Sequence, residues 1–313
     1  MRFADTSLVD IIAAIRGALS RGEVSVSITV ADPDVGRGHY AGARIEVGGV
    51  PAIHRPLRVW VDLADRLGLR LATPRADGEG WMRLRFEPLP ADAAEEVPRL
   101  TPERYGAASS FARVSKLDDP SFVLDMEDAL ARTSLPPRPR ILDLGGNTGD
   151  ELALLLALSP ALRSGTLVGV DHSASATAVA RARFADLDAT FHEADLHILP
   201  QLDVGRFDLV VSIGVLHSPG VDDRALLRHI VQERLTERGS VIFGYPNCRY
   251  RGGEVSYGAR MKNFAQPELS LVLKDVAFCR RYLQQHRRKV YVTGKHYVLV
   301  TGVPLDAPNP RSR

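Results

Sequence analysis

The stretch Arg140-Ile-Leu-Asp-Leu-Gly-Gly-Asn-Thr-Gly-Asp150 joins an apolar run ending in an acid to a glycine-rich turn, and the apolar segment Glu151 to Leu158 follows. Glycines let such a turn close tightly and let a ligand approach the backbone, while the N-terminus of the helix behind it offers free N–H groups. The pattern is not the dinucleotide fingerprint G-x-G-x-x-G. Counted from Gly145, the second and third glycines of that fingerprint fall on Asn147 and Asp150. What stands here is D-x-G-x-N-x-G, with Asp143 leading it. Asn147 at the middle position is tolerable because Asn enters left-handed backbone more readily than most residues. Two further apolar runs end in an acid: Gly165-Thr-Leu-Val-Gly-Val-Asp171 and Thr190-Phe-His-Glu-Ala-Asp-Leu196. A carboxylate presents two acceptor oxygens at once, which suits a diol or a pair of N–H groups. A simple N-cap for the helix that follows is compatible with Asp171, but capping does not explain why the acid recurs at each strand end.

This set of strand endings resembles class I S-adenosylmethionine-dependent methyltransferases, whose first motif is usually D/E-x-G-x-G-x-G. The likeness covers residues 105 to 303. It implies a cofactor site made of Asp143, Gly145, Gly146, Asn147, Gly149, Asp171, His172, Asp195, Leu196 and Ile213. Asp171 would accept the two ribose hydroxyls, and Asp195 would lie beside the adenine amino group. Arg206-Phe-Asp-Leu-Val-Val-Ser-Ile-Gly-Val-Leu-His217 resembles the fourth-strand motif, whose following residues face the methyl donor.

The acceptor is written less clearly. Ser-Ile-Gly-Val-Leu-His-Ser-Pro after the fourth strand lacks both the N-P-P-Y sequence of many amino-group methylases and the Pro-Cys of RNA cytosine C5 enzymes, and looks more like small-molecule methyltransferases. In those, a His at the position of His217 serves as general base or orienting group, and an ordinary imidazole pKa near ~6.5 suits removal of a hydroxyl or thiol proton. His217 and Tyr245 are the catalytic candidates. After the fifth strand, Asn247, Arg249, Tyr250 and Arg260 lie in a polar stretch read as a loop over the site, and are the candidate substrate contacts. Cys248 sits where RNA uridine C5 enzymes carry a nucleophile, but its surroundings do not match theirs. No His, Cys or acid spacing indicates a metal.

Residues 6 to 19 put Leu8, Ile11, Ile12, Ile15 and Leu19 on one helical face, Glu23 to Val30 alternates as a strand does, Ala43–Val47 and Trp81–Phe86 do the same, and a helix from Leu57 to Leu67 lies between them. This predicts a small α+β domain over 1–87. Pro88 to Pro102 has linker composition, so 103–313 is the expected S-adenosylmethionine-binding domain. There, after a helix over Phe122–Ala131, strand and helix alternate as in a doubly wound, mostly parallel α/β sheet. Lys289 to Thr301 reads as a closing antiparallel hairpin that turns around Thr293-Gly294-Lys295.

At 313 residues, 45% hydrophobic and 25% charged, the chain has the composition of a globular protein of two domains rather than of a disordered one. Asp5, Asp10 and Arg16 interrupt the first apolar stretch, no stretch is apolar for long enough to span a membrane, and only Cys248 and Cys279 are present. A cytoplasmic protein without membrane contact is expected. Residues 246–296 hold eleven Lys or Arg against three acids, +8, so that the remainder carries −6 of the overall +2. Such a field steers anions. A small polar or anionic acceptor is the first reading, with the N-terminal domain holding it or pairing two copies into a homodimer. The second is an RNA methyltransferase, because Tyr245, Tyr250, Tyr257 and Phe264 interleave with Arg249, Arg251 and Arg260. The third, a non-catalytic cofactor-binding module, has Asn147 and the lack of an evident base in its favour.

Overall fold

The computed structural model describes residues 1–90, 106–107, 114–218, 220–258 and 269–307. Contacts divide the chain into two compact units, Met1–Glu96 with Tyr250–Tyr257, and Val97–Arg249 with Gly258–Arg313. From residue 91 onward, the stretch expected as a linker lies outside the described residues.

In the first unit, helix α1 (Leu8–Ser20) starts at Ser7, whose hydroxyl accepts the Asp10 N–H. It buries Ile11, Ile15 and Ala18. Strand β1 (Val26–Ala31) is followed by a hairpin, β2 (Arg44–Val47) and β3 (Val50–Ile53), which turns on Gly48 and Gly49, both at positive φ as a tight two-residue turn requires. Helix α2 (Leu57–Leu67) ends on Gly68 in left-handed backbone. Strands β4 (Leu69–Leu71) and β5 (Arg75–Ala76) pair with β6 (Trp81–Pro88), as does β1. All these pairings are antiparallel. Trp60 of α2, Ile11 and Ile15 of α1, and Ile28, Leu84 and Phe86 of the sheet form one core.

The second unit runs α3 (Pro120–Ala131), β7 (Arg140–Leu144), α4 (Asp150–Leu158), β8 (Thr166–Asp171), α5 (Ala174–Arg183), β9 (Ala189–Glu193), β10 (Phe207–Ile213), α6 (Asp223–His229) and β11 (Leu235–Pro246). A hairpin, β12 (Cys248–Arg251) and β13 (Glu254–Tyr257), comes next, and its residues from Tyr250 onward group with the first unit. The chain closes with α7 (Ser270–Gln285), β14 (Arg288–Thr293) and β15 (Tyr297–Pro304). The sheet order is β14-β15-β11-β10-β7-β8-β9; β7 to β11 run parallel and β15 antiparallel to both neighbours. This is the doubly wound sheet with an antiparallel closing hairpin. Along β11, Val241, Phe243 and Tyr245 pack with Val276, Cys279 and Leu283 of α7, while Phe122 of α3 meets the Tyr297 ring with centroids 5.0 Å apart.

One expectation is corrected. The polar stretch after the fifth strand is not an open loop as far as Tyr257. Gly252 and Gly253, at φ 56 and 85, make the tight turn of the β12–β13 hairpin. No described helix is long and apolar enough to cross a membrane.

Candidate functional site

Strand order reverses between β7 and β10, and open α/β sheets bind ligands at the carboxyl ends of the strands beside such a reversal. The glycine-rich turn leaves β7 there. Gly145, Asn147 and Gly149 have φ of 70, 51 and 82. Asn147 therefore takes the left-handed backbone that a middle glycine would supply, at the modest cost Asn carries there. A Cβ on Gly146 would lie 2.1 Å from Asp143 Oδ2, and one on Gly149 2.5 Å from the Phe184 ring. Gly146 is fixed by close approach, and Gly149 by close approach and φ together.

The Asn147 N–H donates to Asp171 Oδ2 and the Ser173 N–H to Oδ1, each at 2.9 Å. The cap of α5 is Ser173, whose hydroxyl accepts the Ala176 N–H, so Asp171 is not the cap. Its carboxylate has room for two more donors. Asp143, Gly146, Asn147, Gly149, Gly169, Val170, Asp171, Thr177 and Phe191 line a cleft with about 210 Å³ of empty volume. Asp143 is fully buried, and among the described residues no donor reaches either of its oxygens. Burial first, and the nearby Glu151 second, push its carboxyl well above the usual range, against the pull of Lys116.

Residues 141–238 match the family model described as a methyltransferase domain. The chain carries a methyltransferase domain. Solved structures that the chain matches include precorrin-6y C5,15-methyltransferase from Geobacter metallireducens, 14% identical, with 57% of this chain and 87% of that one covered at a TM-score of 0.39. A putative methyltransferase in complex with the Trm112 activator of Haloferax volcanii is 17% identical over 62% and 92%, TM-score 0.42. An S-adenosylmethionine-dependent methyltransferase from Aquifex aeolicus is 16% identical over 61% and 98%, TM-score 0.41. No curated protein matches the chain.

The donor set around the methyltransferase cleft fits S-adenosylmethionine. It offers a carboxylate with spare acceptor capacity, a buried carboxyl without a donor, and a turn on which a Cβ would collide. The other expected cofactor residues stand further along the same edge. His172 Nδ1 is 4.0 Å from Asp171 Oδ1. Asp195 is exposed and caps the turn Leu196–Gln201 by accepting the His197 N–H at 3.0 Å. Leu196 is half-buried, and Ile213 is buried at the end of β10.

Among the expected acceptor-side residues, His217 follows β10, and desolvation holds its pKa below the ordinary value. Tyr245 points the other way. It lies in the core under α7 with its hydroxyl bonded to the Cys279 thiol, and burial raises both groups, the thiol to about 12. That placement serves packing rather than proton transfer. Asn247 is buried beside β15, Arg249 and Tyr250 are half-buried in β12, and Arg260 lies outside the described residues.

The sequence reading missed Lys116 and Glu151. Glu151, in the first turn of α4, is 1% exposed and ion-paired with the Lys116 ammonium. Burial alone would lower the Lys116 pKa, but Glu151, with Asp143 and Asp150 nearby, carries it above the ordinary value. Lys116 and Glu151 thus flank Asp143 under the turn. A single added methyl tests this packing. Gly146→Ala should lower stability by roughly 1–3 kcal/mol, the cost of overpacking, and weaken binding of S-adenosylhomocysteine; thermal melts and calorimetry read the two effects.

Proposed function

We propose that this S-adenosylmethionine-dependent methyltransferase acts on a small polar or anionic acceptor. Asp143, Gly145, Gly146, Asn147, Gly149, Asp171, His172, Asp195, Leu196 and Ile213 are assigned to the cofactor, and His217, Asn247, Arg249, Tyr250 and Arg260 to acceptor binding. Residues 103–313 form the catalytic domain, and residues 1–87 bind the acceptor or pair two copies. The observation that carries the cofactor assignment is Asp171, fixed by two backbone N–H groups at the lip of the cleft and free of the capping duty that would otherwise explain it.

When bound, the cofactor supplies an electrophilic methyl on a sulfonium. The chain's part is then to hold the acceptor in line with it and keep water out, and positioning supplies much of the acceleration in such a displacement. The test is calorimetry with S-adenosylhomocysteine. Asp171→Ala should weaken binding by about 1.5–3 kcal/mol, roughly ten- to a hundredfold, as expected for loss of a charged acceptor. Unchanged affinity in a folded variant would sink the assignment.

The RNA reading draws on the +8 balance of residues 246–296. Its charges are spread over several elements. Arg288 donates to the carbonyls of Thr236 and Glu237, while Arg280 and Arg281 are exposed on α7. RNA retained on the purified protein and released along a steep salt series would favour this reading over the first.

A further inference from the structure

The carboxyl edge of the sheet carries a second pair of ionisable side chains. Strand β15 begins with Tyr297 opposite Pro246 of β11, and Asn247 and His296 stand just beyond that last pair of the ladder. The Asn247 N–H donates to the His296 carbonyl at 2.7 Å. His296 Nδ1 lies 3.1 Å from Asp119 Oδ2. Asp119 caps α3, its other oxygen accepting the Ser121 N–H at 2.9 Å. Side-chain exposure is 11% for His296 and 10% for Asp119, so the pair is held in place rather than waving in solvent.

A carboxylate only accepts, so in the neutral ring the hydrogen between the two rests on Nδ1, and Nε2 then presents a lone pair. The ring hydrogen bond that His296 makes among the described residues is the one at Nδ1. Asn247 adds an independent sign of a missing ligand. Its Nδ2 donates to the Lys295 carbonyl at 3.0 Å, which fixes the amide orientation, and its buried Oδ1 has no donor. The backbone bond between Asn247 and His296 keeps the two residues in one small region at the ends of β11 and β15, one and two strand spacings, about 5 and 10 Å, from β10, whose following loop carries His217.

We propose that Asp119 and His296 form the proton-accepting dyad of the methyl transfer, and that the acceptor is a phenolic hydroxyl with a second hydrogen-bond donor beside it. The hydroxyl faces His296 Nε2 and the neighbouring donor faces Asn247 Oδ1. This rests on the reading of the chain as a methyltransferase of small polar acceptors. As the oxygen bonds to the methyl carbon, the methyl–sulfur bond breaks with its electron pair left on sulfur, and Nε2 takes the hydroxyl proton. The resulting imidazolium remains paired with Asp119. At rest a phenolic hydroxyl is a weak acid and keeps its proton. Bond formation at oxygen makes that proton strongly acidic, so the transfer becomes downhill in step with the displacement. His296 is the catalytic residue and Asp119 the positioning one.

The test uses the full chain, S-adenosylhomocysteine for binding, and catechol with methyl-tritiated S-adenosylmethionine for turnover. In ¹⁵N-histidine spectra His296 should show the Nδ1–H tautomer, and catechol should shift its Nε2 resonance. His296→Gln should lower methyl transfer to catechol at least a hundredfold, within the usual range for a lost general base, while S-adenosylhomocysteine affinity stays within about twofold. Added imidazole should restore part of the rate in His296→Ala, which a merely structural role would not allow. Asp119→Asn should slow transfer and reverse the tautomer. The dyad is overturned by an Nε2–H tautomer in the wild type, by no catechol methylation despite cofactor binding, or by an unchanged rate in His296→Gln. No S-adenosylhomocysteine binding by the wild type would overturn the cofactor reading itself, and the dyad with it.

Discussion

Lys116→Met should lower the stability of the catalytic unit by about 3–5 kcal/mol, because it leaves Glu151 buried without its cation and next to a second buried carboxyl. For a domain of this size each kcal/mol moves the melting temperature by about 2–4 °C, so a drop of at least 6 °C is expected. The Lys116 side chain stays 20% exposed, which favours the lower half of the range. Replacing both partners, Lys116→Met with Glu151→Leu, should recover most of the loss, since two apolar groups of similar volume carry no desolvation cost. Far-UV circular dichroism in urea is the measurement. Tryptophan fluorescence is its control, because Trp60 and Trp81 both belong to the first unit. A single variant within about 1 kcal/mol of wild type would show that the ion pair contributes little.

The glycine turn, its strand and its helix were legible in the sequence because each signal is local. An apolar run, a change of period and glycines at fixed offsets all lie within a dozen residues. Asp171 and Asn147 were legible for the same reason. Ser173 as the cap of α5 follows directly from the chain, yet only the structure frees Asp171 from that duty. Tyr245 shows the limit. Its parity with Val241 and Phe243 sends it under α7, and which face of β11 looks toward α7 is a property of the assembled sheet. His296 and Asp119 are 177 residues apart, and they meet because β15 returns antiparallel beside β11. Sequence spacing holds no trace of that meeting. Glu151 was read as the start of an apolar helix, with its phase unknown. Once the turn is in place the same residue faces inward, and a buried charge there calls for a cation, which Lys116 supplies from outside the recognised motif.

Asp143→Asn should move stability and cofactor affinity in opposite directions. The folded protein holds the Asp143 carboxyl well above its usual pKa, chiefly through burial. A carboxyl raised in this way favours folding below its unfolded pKa, near ~4, and that contribution is lost as pH rises through the folded value. At neutral and alkaline pH the wild type without ligand therefore carries a penalty that an amide does not. Asp143→Asn should raise the melting temperature there by a few degrees, about 1–2 kcal/mol, with the gain shrinking toward acid. Binding runs the other way. The two buried oxygens have no donor of their own, and a cofactor bearing an ammonium and N–H groups favours the ionised carboxyl. Wild-type affinity for S-adenosylhomocysteine should thus rise with pH up to the raised pKa, with release of a proton on binding. The variant should bind about a hundredfold more weakly, close to the ~3 kcal/mol upper range for a hydrogen bond to a charged group. Calorimetry in phosphate and in Tris, whose ionisation heats differ, separates the two cases. Proton release is expected from the wild type and none from Asp143→Asn. Equal heats in both buffers for the wild type would mean that Asp143 stays protonated in the complex and acts only as a hydrogen-bonding wall of the cleft.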